Sequence, residues 1–224
     1  MVTAKSGMLA AACALVVLGG CIKQPEPLAE LPVHDLDLSA PRPAPPPKVA
    51  EPPLRPWVSD RDSWAVSGGR AWRYIVIHHS ATDNGNAAEF DAHHRRRGWD
   101  GLGYHFVIDN GKGGPDGRIE VGSRWRLQKA GAHTGGTPGN EYNEIGIGIC
   151  LVGDFTDGMP SQAQLASLHR LVSYLAGHYD IRPENIIGHC DAPSAATQCP
   201  GTALHRYIAT SLRWRVSGGY ASRN

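Results

Sequence analysis

The chain carries almost no net charge. Its 224 residues include 22 lysines and arginines against 21 aspartates and glutamates, a formal balance of +1. Such a balance leaves no polybasic face for a phosphate backbone, and no nucleic-acid partner is expected. The one cationic cluster, Arg95-Arg96-Arg97, closes an expected helix, where positive charge complements the helix dipole and faces solvent. An apolar run of the roughly 20 residues needed to cross a bilayer is also missing; the run from Met8 to Leu18 falls short. No Gly-x-Ser-x-Gly, His-Glu-x-x-His or phosphate-loop motif occurs, which removes the usual support for a serine hydrolase, a helical zinc protease or a nucleotide-binding enzyme.

Cysteine is scarce, and its five copies serve different ends. Residues 1 to 20 combine Lys5, the apolar run and a small-residue ending before Cys21, the layout of a signal peptide. Cys13 would leave with that segment. Leu18-Gly19-Gly20-Cys21 resembles the lipobox of bacterial lipoproteins, which implies that Cys21 becomes the lipidated first residue of the mature chain. Ordinary secretion, with Cys21 an incidental thiol, is the plainer alternative. Each buried methylene contributes about 0.8 kcal/mol, so several acyl chains anchor a protein firmly. Ile22, in place of aspartate after the cysteine, implies by the same resemblance an outer-membrane address facing the periplasm. Cys150, Cys190 and Cys199 remain, an odd number for an exported chain. At least one therefore stays out of an internal disulfide, and ligating a metal is one use for it.

From Ile22 to Pro56 the chain holds 11 of its 17 prolines and almost no aromatic residue. Such a segment cannot bury a core. At about 3.1 Å per residue it forms a tether of residues 21–56 reaching on the order of 100 Å, a spacer with no partner of its own. The folded domain is expected at 57–214, with a flexible tail at 215–224.

Within that domain, Tyr74-Ile75-Val76-Ile77-His78-His79 reads as a short buried strand that delivers two histidines at its C-terminal end. A helix follows from Asn86 to Arg97, ending at Gly98. Tyr104–Ile108 and Arg118–Val121 form a hairpin, with Asp116-Gly117 as its turn signal. Ile145–Val152 is a further buried strand, whose glycines mark a face that something approaches closely. Ser161-Gln162-Ala163-Gln164 has the form of a capping box, and Leu165, Leu168, Leu171, Val172 and Leu175 continue as one apolar stripe to Tyr179. The strand Asn185–Gly188 and a last helix from Thr202 to Arg213 complete an α/β domain, a mixed central sheet flanked by helices.

The chemistry concentrates in the loop Gly188-His189-Cys190-Asp191 to Gln198-Cys199-Pro200-Gly201. A catalytic zinc site needs three protein ligands and an open position. His78 or His79, His189 and Cys199 supply three, and spacing alone does not choose between the tandem histidines. Zinc would lower the pKa of a water to about 7 and polarise a carbonyl, as hydrolysis of an unactivated amide requires. A closed structural site with Cys190 as fourth ligand is the alternative, disfavoured because adjacent residues rarely reach one tetrahedral ion together.

Taken in order, Ile77-His78-His79-Ser80-Ala81-Thr82, Gly103-Tyr104-His105-Phe106, Ala132-His133-Thr134, Asn143-Glu144-Ile145-Gly146-Ile147-Gly148-Ile149 and Gly188-His189 with Cys199-Pro200 resemble the type-2 N-acetylmuramoyl-L-alanine amidases. That family includes the phage lysozyme-type amidases and the peptidoglycan recognition proteins. The resemblance implies that His78, His189 and Cys199 hold Zn2+, with His79 on the other face of the strand. It makes Tyr104 the catalytic tyrosine, Thr197 a weaker oxyanion helper where some members have lysine, and His133 a substrate contact in the groove. Cys150 stands where other members place a glutamate. The implied reaction is cleavage of the amide between the lactyl group of N-acetylmuramic acid and L-alanine. Expected partners are peptidoglycan or muropeptides and, through the lipid anchor, a membrane; the chain is expected to act as a monomer. A binding module that holds muropeptide without cutting it is the competing reading, and the presence of Cys199 speaks against it.

If Cys21 carries the anchor, Cys21→Ser moves the protein from the membrane fraction to the soluble fraction of the envelope and abolishes incorporation of a labelled fatty acid. Unchanged fractionation and labelling would refute lipidation.

Overall fold

The computed structural model describes residues 61–66, 69–135, 138–193 and 195–221. The expectations for the signal peptide, Cys21 and the whole tether lie outside these residues. In chain order the described elements are α1 (Arg61–Trp64), β1 (Tyr74–His79), α2 (Ala87–Arg96), β2 (Phe106–Ile108), β3 (Ile119–Val121), α3 (Ser123–Arg126), α4 (Glu141–Glu144), β4 (Gly146–Leu151), α5 (Gln162–Tyr179), β5 (Ile186–Gly188), α6 (Thr202–Tyr207) and α7 (Arg213–Ala221).

The five strands form one mixed sheet in the order β3-β2-β4-β1-β5. β1 pairs in parallel with β4 on one edge and β5 on the other, β2 pairs in parallel with β4, and β2 and β3 are antiparallel. The two central strands are buried along nearly their whole length, which explains their continuous β-branched character. The expected hairpin is present, with β2 beginning at Phe106 instead of Tyr104.

Alternation along the strands divides the sheet into two unlike faces. Ile75, Ile77, Phe106, Ile108, Ile147, Ile149 and Leu151 join the main core with the leucine stripe of α5. The opposite face carries a small apolar cluster of Leu102, Val107, Cys150 and Val152, with Tyr104 packed against it. The large core stabilises the sheet on one side. The thin side is left for chemistry.

Helix α5 starts as its sequence directs. Ser161 Oγ accepts the Gln164 N–H at 3.0 Å, and Gln164 Oε1 accepts the Ser161 N–H at 3.2 Å. Gln164 does more than complete the cap. It is 1% exposed, and its Nε2 donates to the carbonyls of Val152 at 2.9 Å and Ile108 at 3.2 Å, tying the helix start to the ends of β4 and β2.

The C-terminal boundary needs correction. Helical structure does not stop near Arg213: α6 passes through a wider π-type turn at Ile208–Leu212 into α7, which continues to Ala221. Leu204, Ile208, Leu212 and Val216 are all buried, so the apolar stripe runs on at four-residue spacing into the supposed tail. Arg213 Nε also donates to the Ile186 carbonyl at 2.7 Å, fastening this helical segment to β5.

Gln164→Leu keeps the volume but strands the Val152 carbonyl, takes one of two donors from the Ile108 carbonyl, which keeps the Val152 N–H, and removes half of the capping box. A loss of about 1–3 kcal/mol in unfolding free energy is expected from denaturant titration, with the fold retained. An unchanged midpoint would show that the Val152 carbonyl finds another partner.

Candidate active site

β1 separates its tandem histidines by the geometry of a strand. His79 turns to the α5 side, where its Nδ1 accepts the Phe155 N–H at 3.3 Å. His78 turns to the thin face, is 1% exposed, and lies in register with Cys150 of β4. On the other edge of β1, Ile77 stands opposite Gly188, the last residue of β5. The next residue, His189, therefore emerges beside His78, with ring centroids 4.7 Å apart.

The loop after His189 returns on itself. Cys190 N–H donates to the Cys199 carbonyl at 2.7 Å, and Pro200 lies against Gly188, where a Cβ would come within 2.7 Å of the proline ring. That closure brings Cys199 Sγ to 3.6 Å from His78 Nδ1. One ligand atom from each of His78, His189 and Cys199 lies within 4.8 Å of the others.

This donor set fits zinc. A tetrahedral ion with Zn–N near 2.1 Å and Zn–S near 2.3 Å holds its nitrogen and sulfur ligands roughly 3.6 Å apart, the spacing already present between His78 and Cys199. Burial holds His78 well below its ordinary pKa of 6.5, and the neighbouring His133, His189 and His79 act in the same direction. Burial likewise lowers His189. Both rings are thus neutral, with lone pairs free for a cation. Burial pushes the Cys199 thiol up to about 12, so a metal must displace its proton to bind.

Tyr104 precedes β2 on the same face, its ring centroid 5.3 Å from that of His78. Burial, followed by the nearby Cys150 and Cys199, raises its phenol well above 10 and keeps it a hydrogen-bond donor. Tyr104 packs against the cluster that contains Cys150. Thr197 lies on the returning loop, where its hydroxyl oxygen accepts the Cys199 N–H at 3.1 Å and leaves its proton to donate. Beside Tyr104 the structure adds a ledge that the sequence reading missed. His94 stacks on Trp99 at 4.5 Å and lies 5.7 Å from Tyr104, and Trp99 is 39% exposed. Its only signal is the position of Trp99 on the turn just before Gly103-Tyr104.

His133 is not placed in an open groove. It is 7% exposed, and its ring packs against Gly148, where a Cβ would fall 2.3 Å from His133 Cδ2. The glycines of β4 thus have their explanation: an imidazole needs the room at Gly148, and the Tyr142 carbonyl needs it at Gly146.

Cys190, Asp191 and His205 form a second tight group. Its carboxylate is already engaged. Asp191 Oδ2 accepts the Gly188 N–H at 3.0 Å, Oδ1 faces His205 Nε2 at 2.8 Å, and Arg213 approaches to 3.8 Å. These contacts fasten the start of the loop.

The sequence profile described as N-acetylmuramoyl-L-alanine amidase matches residues 68–202. The chain belongs to this family. Among the relatives of this amidase-family chain, peptidoglycan-recognition protein 2 of Holotrichia diomphalia is 31% identical over 153 residues, spanning 64% of this chain and 73% of the relative. The N-acetylmuramoyl-L-alanine amidase of Sus scrofa is 31% identical over 123 residues, 54% of this chain but only 18% of that protein. Of the solved structures, the amidase LysC from Clostridium intestinale URNW superposes with a TM-score of 0.53 at 31% identity, covering 63% of this chain and 85% of LysC. Human PGRP-IBETAC, solved in complex with glycosamyl muramyl pentapeptide, gives 0.51 at 25% identity, with coverages of 67% and 93%.

The buried imidazoles also set the response to acid. His105 is fully buried; its Nδ1 accepts the Gly148 N–H at 2.9 Å, and its Nε2 faces the Lys129 carbonyl at 3.1 Å. Burial lowers its pKa from 6.5 to about 4. Its neutral form therefore stabilises the fold fully above pH 6.5, and the contribution is lost as pH falls through 4, about 3 kcal/mol in all. Asp109 acts in the opposite sense: burial and then Glu120 raise its carboxyl to about 7, so its contribution is lost as pH rises. His105→Asn keeps an acceptor for the Gly148 N–H and isolates the histidine's share. Its denaturation curves should show a slope between pH 6.5 and 4 that is shallower by about 3 kcal/mol; an equal slope would remove His105 as the cause.

Proposed function

We propose that the chain is a zinc-dependent N-acetylmuramoyl-L-alanine amidase, which hydrolyses the amide between the lactyl group of N-acetylmuramic acid and L-alanine in peptidoglycan or muropeptides. The observation that carries this reading is the convergence of His78, His189 and Cys199 at ligand spacing, with the Tyr104 hydroxyl as a protonated donor on the same face.

Zinc bound there would supply Lewis acidity, activating a water and polarising the scissile carbonyl. The chain's own residues do the rest. His78 and His189 present neutral nitrogens, and Cys199 yields its proton on binding the metal. As the carbonyl becomes tetrahedral, Tyr104 donates a hydrogen bond to the developing oxyanion, and Thr197 gives a second, weaker one. The amine of the L-alanine stem takes up a proton as it departs. The exposed Trp99 ledge offers an apolar floor next to Tyr104 for the bound muropeptide.

The family's members carry the names of both amidases and recognition proteins, so a non-catalytic binding module is the second reading. Cys199 and its 3.6 Å approach to His78 favour the enzyme. We further propose that lipidated Cys21 holds the chain, as a monomer, in the cell envelope at the outer membrane, facing the periplasm. No helix among the described residues is long and apolar enough to cross a membrane.

Purified protein should contain one zinc per chain and release L-alanine-terminated stem peptide from a defined muropeptide, read by mass spectrometry. Cys199→Ala and His189→Ala should reduce release to background while muropeptide binding and circular dichroism persist. Tyr104→Phe should lower kcat by roughly 10²–10³-fold with little change in KM. Binding without any new amine from the wild-type chain would favour the module over the enzyme.

A further inference from the structure

His78 has two ring nitrogens, and the structure accounts for both. Nδ1 faces Cys199 Sγ at 3.6 Å, while Nε2 points back into the domain, 3.1 Å from His133 Nδ1. A neutral imidazole that offers its lone pair at Nδ1 must carry its proton on Nε2. That proton then points at His133 Nδ1, which accepts it. His133 in turn carries its own proton on Nε2, 3.3 Å from the Gly146 carbonyl. A backbone carbonyl is an acceptor only, so the Gly146 oxygen orders the protons of both rings in sequence.

His133 is built to hold this place. Its backbone N–H and that of Thr134 donate to Asn143 Oδ1 at 2.7 and 3.0 Å, and Asn143 Nδ2 returns a bond to the Thr134 carbonyl at 2.9 Å. A Cβ at either Gly131 or Gly148 would fall 2.3 Å from His133 Cδ2, so the ring is confined where two glycines admit it. Thr134 Oγ1 lies 2.8 Å from His133 Nδ1 and can share that acceptor.

We propose that His133 is a positioning residue for the metal centre: its Nδ1 accepts from His78 Nε2, fixing the tautomer and ring plane that aim the His78 Nδ1 lone pair at the ion. This rests on the zinc reading above and assigns His133 a role behind the ligand in place of a substrate contact. Partners of this kind on metal-bound histidines typically change metal affinity by 10–100-fold.

The test uses the full-length chain and two substitutions. His133→Leu fills the space without an acceptor; His133→Asn puts a carbonyl oxygen near the position of Nδ1. Competition titration of zinc against a chelator should show affinity weakened by about 10–100-fold in the leucine variant and substantially restored in the asparagine variant. Long-range proton–nitrogen spectra of the zinc-free protein should show His78 protonated on Nε2 in wild type and mixed tautomers in the leucine variant. Wild-type affinity together with an unchanged His78 tautomer in the leucine variant would overturn the proposal. If the leucine variant does not fold, the asparagine variant decides: its His78 stays protonated on Nε2 if the proposal holds, and loss of that tautomer overturns it. A wild-type chain that takes up no zinc overturns the metal reading and, with it, the metal-positioning role; the tautomer spectra report on the two-ring hydrogen bond separately.

Discussion

The site depends on β1 being paired in parallel on both edges. One partner, β4, places Cys150 in register with His78; the other, β5, ends opposite Ile77 and so releases His189 beside His78. Two of the three proposed ligands, more than a hundred positions apart in the chain, are brought together by backbone hydrogen bonds. The third arrives through a loop whose ends are clamped by the Cys190–Cys199 backbone bond and by Asp191, which accepts the Gly188 N–H and faces His205. Candidate ligand atoms at the carboxyl ends of parallel strands follow the general pattern of open α/β sheets.

Burial then does the electrostatic work. His78, His105 and His133 sit close together without charge, because desolvation holds each one neutral; neighbouring histidines add to this at His78 and His133, and Arg124 and Arg70 at His105. Neutral rings can act as one-way hydrogen-bond connectors, donating at one nitrogen and accepting at the other. The same desolvation keeps Tyr104 protonated and Cys199 a thiol until a cation compensates it. One cause, exclusion of water from the thin face, thus prepares ligand, donor and connector.

Much of this was legible from the residues. The strand at Tyr74–His79, the hairpin, the capping box at Ser161 and the amphipathic α5 follow from short-range patterns, and the structure reproduces them. The glycines in β4 signal a close approach without saying by what, because the ring at Gly148 belongs to His133, fifteen positions earlier, and only the fold brings it there. Motif order carries no information on which side of His78 a neighbour such as His133 stands; its burial and its 3.1 Å approach to His78 come from the fold. Arg124 left no trace in pattern at all: it is 8% exposed and satisfied by the carbonyls of Leu102 and Ala130 and by Asp100. The C-terminal helix was cut short because its polar surface residues mask an apolar stripe of only one residue per turn.

The unequal thickness of the two sheet faces bears on how such a domain can change over time. The leucines of α5 and the isoleucines beneath them stabilise the chain without touching any group that would meet a substrate. The side chains of the opposite face lie outside that core. In a domain divided in this way, exchange of the proposed ligand Cys199 would leave the main core untouched and, on the reading above, turn a cutter of cell wall into a reader of it. One architecture can therefore shelter both trades, and which one a given chain practises is written in a handful of side chains on its thinner side.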